Sequence, residues 1–463
     1  MTKTFFIILL LGTTILLVSV FLWLRATPII TVTPEKALID QPVEILISNL
    51  KPLEHIKLEA SCKNKDNDTW VSHATFQADD NGIVNVSKQA SISGSYNGVD
   101  PMGLFWSMMP IDKDLSKRTI ISKHTLNIGE VLLSVFSNNK LKTSKTIYRM
   151  AVSPDVEKRN IREHGVVGSF FYPKNMNKGA GVIVVPGSNG GIPENISQML
   201  ASHGYAILAL GYFNAEGLPK SLSNIPLECF QNAMQWLKKQ PQVDGNRIAL
   251  MGHSRGGELV LLLASMFPGE MASVIAYGSP TLVLGDFFLG DFSPKEKAGW
   301  TFKNKPIQFM PVLSEAETLQ AAKEGHIASH KGTLEDPLEE RDTFVYAMKK
   351  FSQNIEAATI KVENIRCPIL IISGEDDKMF PSTLHGNMMM KRLDKNGSTI
   401  IRKHIHYPDA GHNIFLFPYM PSIDLPVPFG PVWGLLGGTP KGNAHAIKES
   451  WQETLNFLKE TLR

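Results

Sequence analysis

From about Val166 onward, short apolar runs alternate with segments that have the periodicity of a helix. Candidate strands are “GVIVVPG” (181–187), “YAILALGY” (205–212), “SVIAYGS” (273–279), “PILIISGEDD” (368–377) and “IIRKHIHYP” (400–408). Neighbouring parallel strands need a crossover helix between them, and such helices bury both faces of the sheet. The alternation therefore predicts an α/β fold built on a mostly parallel sheet. About ninety weakly periodic residues separate the third and fourth runs, a length that is typical of a cap over a functional site.

The first part of the chain has a different pattern. From about Thr31 to Tyr148, short runs of alternating polarity such as “PVEILIS” and “HIKLEAS” are separated by turn residues. This succession predicts an antiparallel β-sandwich. The two patterns divide the chain into an N-terminal segment (1–27), a β-sandwich domain (28–155) and an α/β domain (156–463). We expect the sandwich to be accessory to the α/β domain.

The N-terminal segment contains a long uncharged stretch, “FFIILLLGTTILLVSVFLWL”, from Phe5 to Leu24. A helix of that length crosses a bilayer core of about 30 Å. A cleavable signal peptide would have a shorter apolar region followed by small residues, whereas bulky residues end this one. We therefore predict an uncleaved single-pass membrane anchor over residues 5–24. Lys3 precedes the stretch, whereas Arg25 and Lys36 follow it, which gives a slight preference for an extracytoplasmic body.

Charge and cysteine content argue against several classes of partner and cofactor. The formal net charge is only +3, and no long basic run occurs, so we expect no nucleic-acid partner. Cys62, Cys229 and Cys367 lie far apart and form no C-x-x-C pair, which indicates neither a disulfide framework nor a zinc site. We predict no metal and no cofactor, and the oligomeric state is left open.

In the stretch “IALMGHSRGGEL” (248–259), a serine lies between two glycines where a strand-like run gives way to a helical one. The pentapeptide G-x-S-x-G is weak by itself, but this setting matches a nucleophile elbow, whose strained turn projects the serine oxygen clear of the sheet. The strand and helix backbones of an elbow approach too closely for side chains at the positions of Gly252 and Gly256. We predict that Ser254 is a nucleophile; the alternative is a polar turn residue.

A serine nucleophile needs a base and an orienting acid, which should follow in the chain order serine, acid, histidine. The stretch “IISGEDDKMFP” places Asp376 and Asp377 at the carboxyl end of a strand, where open α/β sheets hold their sites. We favour Asp377 from its spacing to the flanking glycine and proline, with Asp376 as the alternative. His412 follows the last strand and is the predicted base. His404 and His406 lie within that strand, where a structural role is expected.

Attack on a carbonyl carbon produces an oxyanion that needs fixed hydrogen-bond donors. One donor is expected to be the backbone N–H of Arg255, the residue after the nucleophile. The other should come from the glycine loop “VVPGSNGGIP”, where Gly187, Ser188 and Asn189 are candidates and Ser188 is our choice. Phosphate binding is an alternative use of this loop, but the loop lacks the P-loop lysine and does not match G-x-G-x-x-G.

Several longer blocks resemble the acyl-CoA thioesterase and bile acid-CoA:amino acid N-acyltransferase (BAAT) family of the α/β-hydrolase superfamily. The blocks are “SGSYNGVDPMGLFWSM” in the first domain and “GYFNAEGLPK”, “GHSRGGEL”, “GEDDKMFPS”, “DAGHNI” and “PVWGLLGGTPKGNAHAIKESW” in the second. They follow the family's order along the chain. The resemblance implies an immunoglobulin-like first domain, an α/β-hydrolase second domain, an acyl-CoA substrate and the triad Ser254, Asp377 and His412. Family members that transfer the acyl group to glycine or taurine carry a cysteine nucleophile, so the serine here favours water as the acceptor.

The leading hypothesis is an acyl-CoA thioesterase that hydrolyses a long-chain substrate such as palmitoyl-CoA to a free fatty acid and CoA through an acyl-enzyme on Ser254. The predicted anchor favours a second hypothesis, a membrane-tethered extracytoplasmic carboxylesterase or lipase-like hydrolase. An acyl-CoA:amino acid N-acyltransferase is a further alternative. A non-catalytic binding protein, whose sandwich recruits a partner, is the alternative from a different class.

Overall fold

The computed structural model describes residues 27–63, 67–111, 129–286, 297–422, 426–429 and 431–463. These residues form two compact units. The described part of the first unit consists of residues 27–63, 67–111 and 129–150, together with Tyr419–Pro421. The second unit contains the remaining described residues. The predicted domain boundaries at 28–155 and 156–463 stay a prediction.

The first unit is built from β-strands. Its strands are β1 Ile29–Thr33, β2 Lys36–Leu38, β3 Glu44–Ser48, β4 His55–Lys63, β5 Thr69–Gln77, β6 Val84–Asn85, β7 Ser93–Gly94, β8 Met109–Pro110, β9 Glu130–Ser137 and β10 Lys140–Met150, with one short helix, α1, at Gly103–Trp106. One sheet has the order β1-β3-β6, and the other has the order β2-β10-β9-β4-β5-β7, with β8 also paired to β5. All of these pairs are antiparallel except β2 with β10.

Strands of the first unit bury alternate side chains. In β4 every second residue from Ile56 to Cys62 is buried, and β5 repeats this alternation. Period-two burial gives a sheet one apolar and one polar face, as layered antiparallel domains require. The immunoglobulin-like assignment of this unit stays a prediction.

The second unit alternates strands with helices. Its strands are β11 Val156–Glu163, β12 Val166–Pro173, β13 Gly179–Val185, β14 Ala206–Gly211, β15 Ile225–Pro226, β16 Val243–His253, β17 Ser273–Tyr277, β18 Trp300–Phe302, β19 Lys305–Pro306, β20 Ile369–Gly374, β21 Arg402–Tyr407, β22 Val427–Phe429 and β23 Val432–Gly434. The α-helices are α2 Glu194–Ser202, α3 Glu228–Lys238, α4 Arg255–Met266, α5 Glu315–Lys323, α6 Arg341–Lys350, α7 Ile355–Ala358, α8 Ser382–Lys395 and α9 Pro440–Thr461. Short 3₁₀ turns lie at Ser352–Asn354 and Val362–Asn364.

The central sheet of the second unit has eight strands in the order β11-β12-β14-β13-β16-β17-β20-β21. The pairs β11–β12 and β12–β14 are antiparallel, and every later pair is parallel. Every residue of β14, β17 and β20 is buried, because helices cover both faces of the sheet. This strand order is that of the α/β-hydrolase fold, so the predicted α/β fold class is confirmed. The carboxyl ends of β16, β17, β20 and β21 meet along one edge of the sheet.

Helix α9 begins earlier than its apolar pattern predicts. The pattern “AIKESWQETLNFLKETL” starts at Ala446, whereas the helix starts at Pro440. The Thr439 side chain accepts a hydrogen bond from the Gly442 backbone N–H and caps the helix, and Pro440 occupies its first position. A capping threonine followed by proline is a strong helix start that acts independently of hydrophobic periodicity.

The predicted cap falls in the stretch between β17 and β20. Part of that stretch, residues 287–296, lies outside the described residues, and the rest forms β18, β19, α5, α6 and α7. Ala347 of α6 and Ala358 of α7 belong to a small apolar cluster with Leu282, Leu284, Met310 and Phe380. Trp300 of β18 is part of the main core of the unit. The role of the stretch as a cap stays a prediction.

The membrane prediction requires correction. The predicted anchor, residues 5–24, lies outside the described residues, and within them no helix has both the length and the apolar character that a bilayer crossing needs. The longest described helix, α9, carries six lysines and glutamates along its sequence and is too polar for hydrocarbon. The structure therefore gives no support for a single-pass anchor, and the predicted membrane localisation and sidedness are not retained.

Candidate active site

Ser254 occupies a sharp turn between β16 and α4. Its φ is 55° and its ψ is −122°, a backbone conformation that residues other than glycine rarely adopt. The Ser254 N–H donates to the Tyr277 carbonyl on the neighbouring strand at 2.8 Å, and its carbonyl accepts from the Glu258 N–H at 3.1 Å. The turn is thus tied to the sheet on one side and to the helix on the other. This is the strained geometry that a nucleophile elbow requires.

The glycines around Ser254 are required by close backbone approach. A Cβ on Gly252 would overlap the carbonyl group of Gly256, and a Cβ on Gly256 would lie 2.5 Å from the Pro186 carbonyl oxygen. Contacts under about 3 Å to backbone atoms cannot be relieved by moving a side chain. The G-x-S-x-G pattern is therefore explained by the crossing of β16, α4 and the loop after β13.

His412 and Asp377 form a buried pair at the same edge of the sheet. His412 Nδ1 lies 2.8 Å from Asp377 Oδ2, and the two residues are 6% and 1% exposed. Asp377 also accepts hydrogen bonds at Oδ1 from the backbone N–H groups of Met379, at 3.0 Å, and Phe380, at 2.8 Å. A carboxylate held by several donors has a fixed orientation, so it fixes the orientation of the imidazole ring.

Asp376, the alternative acid, lies elsewhere. Its Oδ2 accepts from the Gly438 backbone N–H at 3.0 Å, its Oδ1 lies 3.4 Å from Lys378 Nζ, and its side chain is 40% exposed. The structure therefore brings Asp377, and not Asp376, to His412.

The Ser254 turn and the His412 loop approach each other around the end of β17. Ser254 is bonded to Tyr277, and a Cβ on the next residue, Gly278, would lie 3.3 Å from His412 Cε1. His253, which precedes Ser254, places Nε2 2.9 Å from the His412 carbonyl oxygen, and the two rings lie 4.6 Å apart. His253 thus joins the elbow to the His412 loop.

No hydrogen bond joins Ser254 Oγ to the His412 ring in the described chain, where the ring's hydrogen bond goes to Asp377. Catalytic hydrogen bonds are often long in unliganded sites and tighten when substrate binds. The elbow therefore lies beside His412 and Asp377, but Ser254 Oγ is not hydrogen-bonded to the His412 ring.

The predicted oxyanion loop lies against the elbow. A Cβ on Gly187 would be 2.9 Å from the His253 carbonyl oxygen and 3.4 Å from Ser254 Cβ, so the loop meets the elbow at the residue before Ser188. Within the described chain, neither the Ser188 nor the Arg255 backbone N–H donates to another backbone or side-chain group. Both N–H groups are therefore available as donors at the elbow.

The Arg255 side chain is buried away from solvent. Its Nη2 donates to the carbonyl groups of Leu284 and Gly285, each at 3.1 Å, and its Nη1 lies 3.0 Å from Glu258 Oε2. Glu258 Oε1 accepts from Trp300 Nε1 at 2.7 Å. Burial raises the pKa of the Glu258 carboxyl to about 7, although the Arg255 charge and the Trp300 hydrogen bond act in the opposite direction.

A segment that the sequence analysis identified only as a family block, without a role, contacts the His412 loop. The Leu436 carbonyl accepts from the His412 N–H at 2.7 Å. Asn443, on α9, accepts from the Gly411 N–H at 2.8 Å and donates to the Gly437 carbonyl at 3.1 Å. The block “GLLGGTPKGN” therefore holds the His412 loop through backbone contacts. The available sequence signal was four glycines and a buried asparagine around the start of α9.

Three further histidines of this unit have structural partners. His404 Nε2 lies 2.8 Å from Ser373 Oγ, and burial lowers the pKa of its imidazole to about 4. His406 pairs with Glu375 on the exposed side of the sheet. His385 accepts from the Thr281 N–H at 3.1 Å, and burial lowers its pKa to about 3. Within the described ranges, no cluster of three or more His, Cys, Asp or Glu side chains is suited to hold a metal ion.

Comparison with known families covers both units. Residues 225–463, just over half of the chain, match the family description “BAAT / Acyl-CoA thioester hydrolase C terminal”. The chain belongs to the acyl-CoA thioester hydrolase/BAAT family. Residues 40–163 match the N-terminal region of this family. The resemblance expected from the sequence is therefore confirmed.

Relatives of this acyl-CoA thioester hydrolase/BAAT family member span nearly its whole length. It is 30% identical to human acyl-coenzyme A thioesterase 2, mitochondrial, over 91% of this chain and 82% of the human protein. It is 29% identical to human acyl-coenzyme A thioesterase 1, over 91% of this chain and 94% of that protein. It is also 30% identical to mouse acyl-coenzyme A amino acid N-acyltransferase 2, over 93% of this chain and 97% of the mouse protein. Both hydrolases and acyltransferases therefore occur among its relatives.

Proposed function

We propose that the protein is an acyl-CoA thioester hydrolase that uses Ser254 as nucleophile, His412 as general base and Asp377 as the acid that orients it. The observation that carries the proposal is the buried 2.8 Å contact between His412 Nδ1 and Asp377 Oδ2 beside the Ser254 elbow. A carboxylate bonded at Nδ1 leaves Nε2 as the proton acceptor, which is the tautomer that a serine nucleophile requires.

In the first half of the reaction, Ser254 Oγ attacks the thioester carbonyl carbon while His412 Nε2 takes the hydroxyl proton. The backbone N–H groups of Arg255 and Ser188 stabilise the resulting oxyanion, and each such donor contributes about 3 kcal/mol on the usual mutational scale. The C–S bond then breaks, and His412 returns the proton to the departing CoA sulfur. The product of this step is an ester on Ser254.

The second half repeats the chemistry with water as the nucleophile. His412 takes a proton from water, whose oxygen attacks the acyl carbon, and the same two N–H groups bind the oxyanion. The bond between the acyl carbon and Ser254 Oγ breaks, and His412 returns the proton to Oγ. The released product is a carboxylic acid, and no cofactor takes part.

The acyl-CoA substrate is supported by the family and by its relatives. Two of the relatives reported above are named as thioesterases and one as an amino acid N-acyltransferase. The resemblance implies that transferring members carry a cysteine nucleophile, and Ser254 therefore favours water over an amine as acceptor. The carboxylesterase alternative depended on the membrane anchor and has no separate support.

The proposal is tested by incubating the full chain with palmitoyl-CoA and following thiol release, with Ser254→Ala as the matched control. Thiol release by the wild type that is lost in Ser254→Ala supports hydrolysis. Glycine and taurine added in separate reactions, with mass spectrometry of the products, distinguish hydrolysis from amide formation. Wild-type turnover no faster than that of Ser254→Ala would overturn the substrate assignment.

A fluorophosphonate probe tests the nucleophile independently of the substrate. Such probes phosphonylate an activated serine, and peptide mapping locates the adduct. If the wild type is labelled at Ser254 and His412→Asn abolishes this labelling, the non-catalytic binding alternative is excluded. Absence of labelling in the folded wild type would overturn the proposed catalytic role of Ser254.

A further inference from the structure

Ser382, the first residue of α8, contacts the acid that holds His412. The Ser382 hydroxyl lies 2.7 Å from Asp377 Oδ2, the same oxygen that lies 2.8 Å from His412 Nδ1. Ser382 is only 1% exposed, so water does not replace it as a donor. The three residues therefore form a chain of hydrogen bonds from the helix start to the imidazole ring.

The direction of the Ser382 hydrogen bond follows from the available acceptors. A serine hydroxyl carries a single hydrogen, and an ionised carboxylate can only accept. The Gly374 carbonyl is the other nearby acceptor, but it is 3.4 Å away, compared with 2.7 Å for the carboxylate oxygen. The hydrogen therefore points at Asp377. Oδ2 then has two donors, Ser382 and His412, while the backbone donors of Met379 and Phe380 occupy Oδ1.

We infer that Ser382 is a positioning residue for the reaction, which acts on His412 through Asp377. This inference rests on the proposed function, because it requires that His412 is the base. With Ser382 in place, the negative charge on Oδ2 is shared between two donors and the carboxylate plane is fixed at both oxygens. Without the hydroxyl, Oδ2 binds the His412 N–H alone, holds the protonated ring more strongly, and gains freedom to rotate.

The adjacent Thr383 provides a matched control. Its hydroxyl donates to the Gly374 carbonyl at 3.0 Å or contacts Ser373 Oγ at 2.8 Å. It is one residue further along the same helix turn, but its hydrogen bonds go to the end of β20 and not to Asp377. Loss of either hydroxyl should have a similar effect on packing at the start of α8. Only the loss of Ser382 should change the properties of His412.

The experiment measures the rate of Ser254 labelling by a fluorophosphonate as a function of pH in the full chain, for wild type, Ser382→Ala, Ser382→Thr and Thr383→Ala. For Ser382→Ala we expect the plateau rate to fall about tenfold, because one hydrogen bond to a charged group is lost. We also expect the acid limb of the profile to move upward by about half to one pH unit, because His412 retains its proton to higher pH. Ser382→Thr should restore both values, and Thr383→Ala should leave the limb in place.

The outcomes separate this inference from the function on which it rests. If the wild type is not labelled at Ser254, both the proposed function and the inference fail. If the wild type is labelled and Ser382→Ala shows the wild-type acid limb, the inference fails and the proposed function stands. Far-ultraviolet circular dichroism and the fraction of labelled protein at saturation identify a folding defect, which lowers the labelled fraction without moving the limb. If Ser382→Ala does not fold, Ser382→Cys provides the same test, because a thiol is a weaker donor of similar size.

Discussion

Asp377 Oδ2 and His412 Nδ1 are in hydrogen-bonding contact, although 35 positions separate these residues in the chain. The contact follows from the pairing of β20 and β21, which are parallel neighbours and end in register at Gly374 and Tyr407. The pairing continues past the strand ends, because the Glu375 N–H donates to the Tyr407 carbonyl at 3.0 Å. The pairing of these two strands therefore brings Asp377 and His412 into contact.

We predict that Asp377→Asn lowers kcat for acyl-CoA hydrolysis by about ten-thousandfold with little change in KM. An amide at this position would present its NH₂ to His412 or hold the wrong tautomer, a change that has an effect of this size in serine proteases. The measurement is thiol release from palmitoyl-CoA under saturating conditions.

Asp376→Asn is the control for this prediction. Its side chain is partly exposed and accepts from the Gly438 N–H, which an amide oxygen can also do. We expect a change of no more than a few-fold in kcat. A large loss with Asp376→Asn and a small one with Asp377→Asn would reverse the assignment of the acid.

The candidate site could be predicted from the sequence where a single local pattern identified each residue. The elbow, the acid loop and the histidine after the last strand each have a local signature, and chain order relates them to one another. Asn443 and Ser382 have no such signature, because each acts through one contact made in the folded state. Asn443 bonds the backbone of Gly411, 32 positions away, and only the fold relates the two.

Most of the fold could be predicted in the same way, because the buried strands have apolar runs. β20, for example, is buried throughout and falls within the predicted run at 368–377. The edge strand β11 was not predicted, because only Ile161 is buried along its length and the remaining residues, apart from Val156, are polar. It is a strand because it pairs with β12, a long-range constraint that periodicity does not reveal.

We predict that Gly256→Ala lowers the free energy of unfolding by more than about 3 kcal/mol or prevents folding. The added methyl group would meet the Pro186 and Val185 backbone at 2.5 to 3.0 Å, so either the oxyanion loop or α4 must move. Urea denaturation followed by tryptophan fluorescence measures the change.

Gly245→Ala is the matched control for this substitution. A Cβ on Gly245 would meet only the Lys238 side chain closer than 3.8 Å, at 3.3 Å, and a lysine stem can move aside. We expect a change within about 0.5 kcal/mol, which is typical of surface substitutions. Equal effects of the two alanines would contradict the explanation of the elbow glycines by close backbone approach.

We predict that Tyr212→Phe lowers the free energy of unfolding by about 1 to 3 kcal/mol and reduces kcat more than it changes KM. The buried Tyr212 hydroxyl donates to the Pro186 carbonyl at 2.8 Å, directly before the Gly187–Ser188 loop. Its removal leaves that carbonyl without its donor and loosens the loop that supplies the second oxyanion N–H. Parallel unfolding and thiol-release measurements test both effects, and an unchanged kcat would argue against a role for this loop in catalysis.

We predict that the stability of the wild type falls relative to that of Glu258→Gln as the pH rises from about 4.5 to about 7. Burial raises the pKa of the Glu258 carboxyl from 4.5 to about 7, so in this window the folded state keeps a proton that the unfolded state has released. The contribution is therefore fully present below pH 4.5 and is lost as the pH rises through about 7, with a slope of at most about 1.4 kcal/mol per pH unit.

The glutamine in Glu258→Gln does not titrate, and its amide oxygen can still accept from Trp300 Nε1, so the variant removes the pH dependence and keeps the hydrogen bond. The measurement is the free energy of unfolding in urea at several pH values for both proteins. Glu270→Gln is the control, because Glu270 is a solvent-exposed partner of Lys238 whose loss should shift stability little at any pH. Parallel curves for wild type and Glu258→Gln would mean that Glu258 stays ionised beside Arg255 in the folded state, and that the attraction of the guanidinium outweighs the cost of burying both charges.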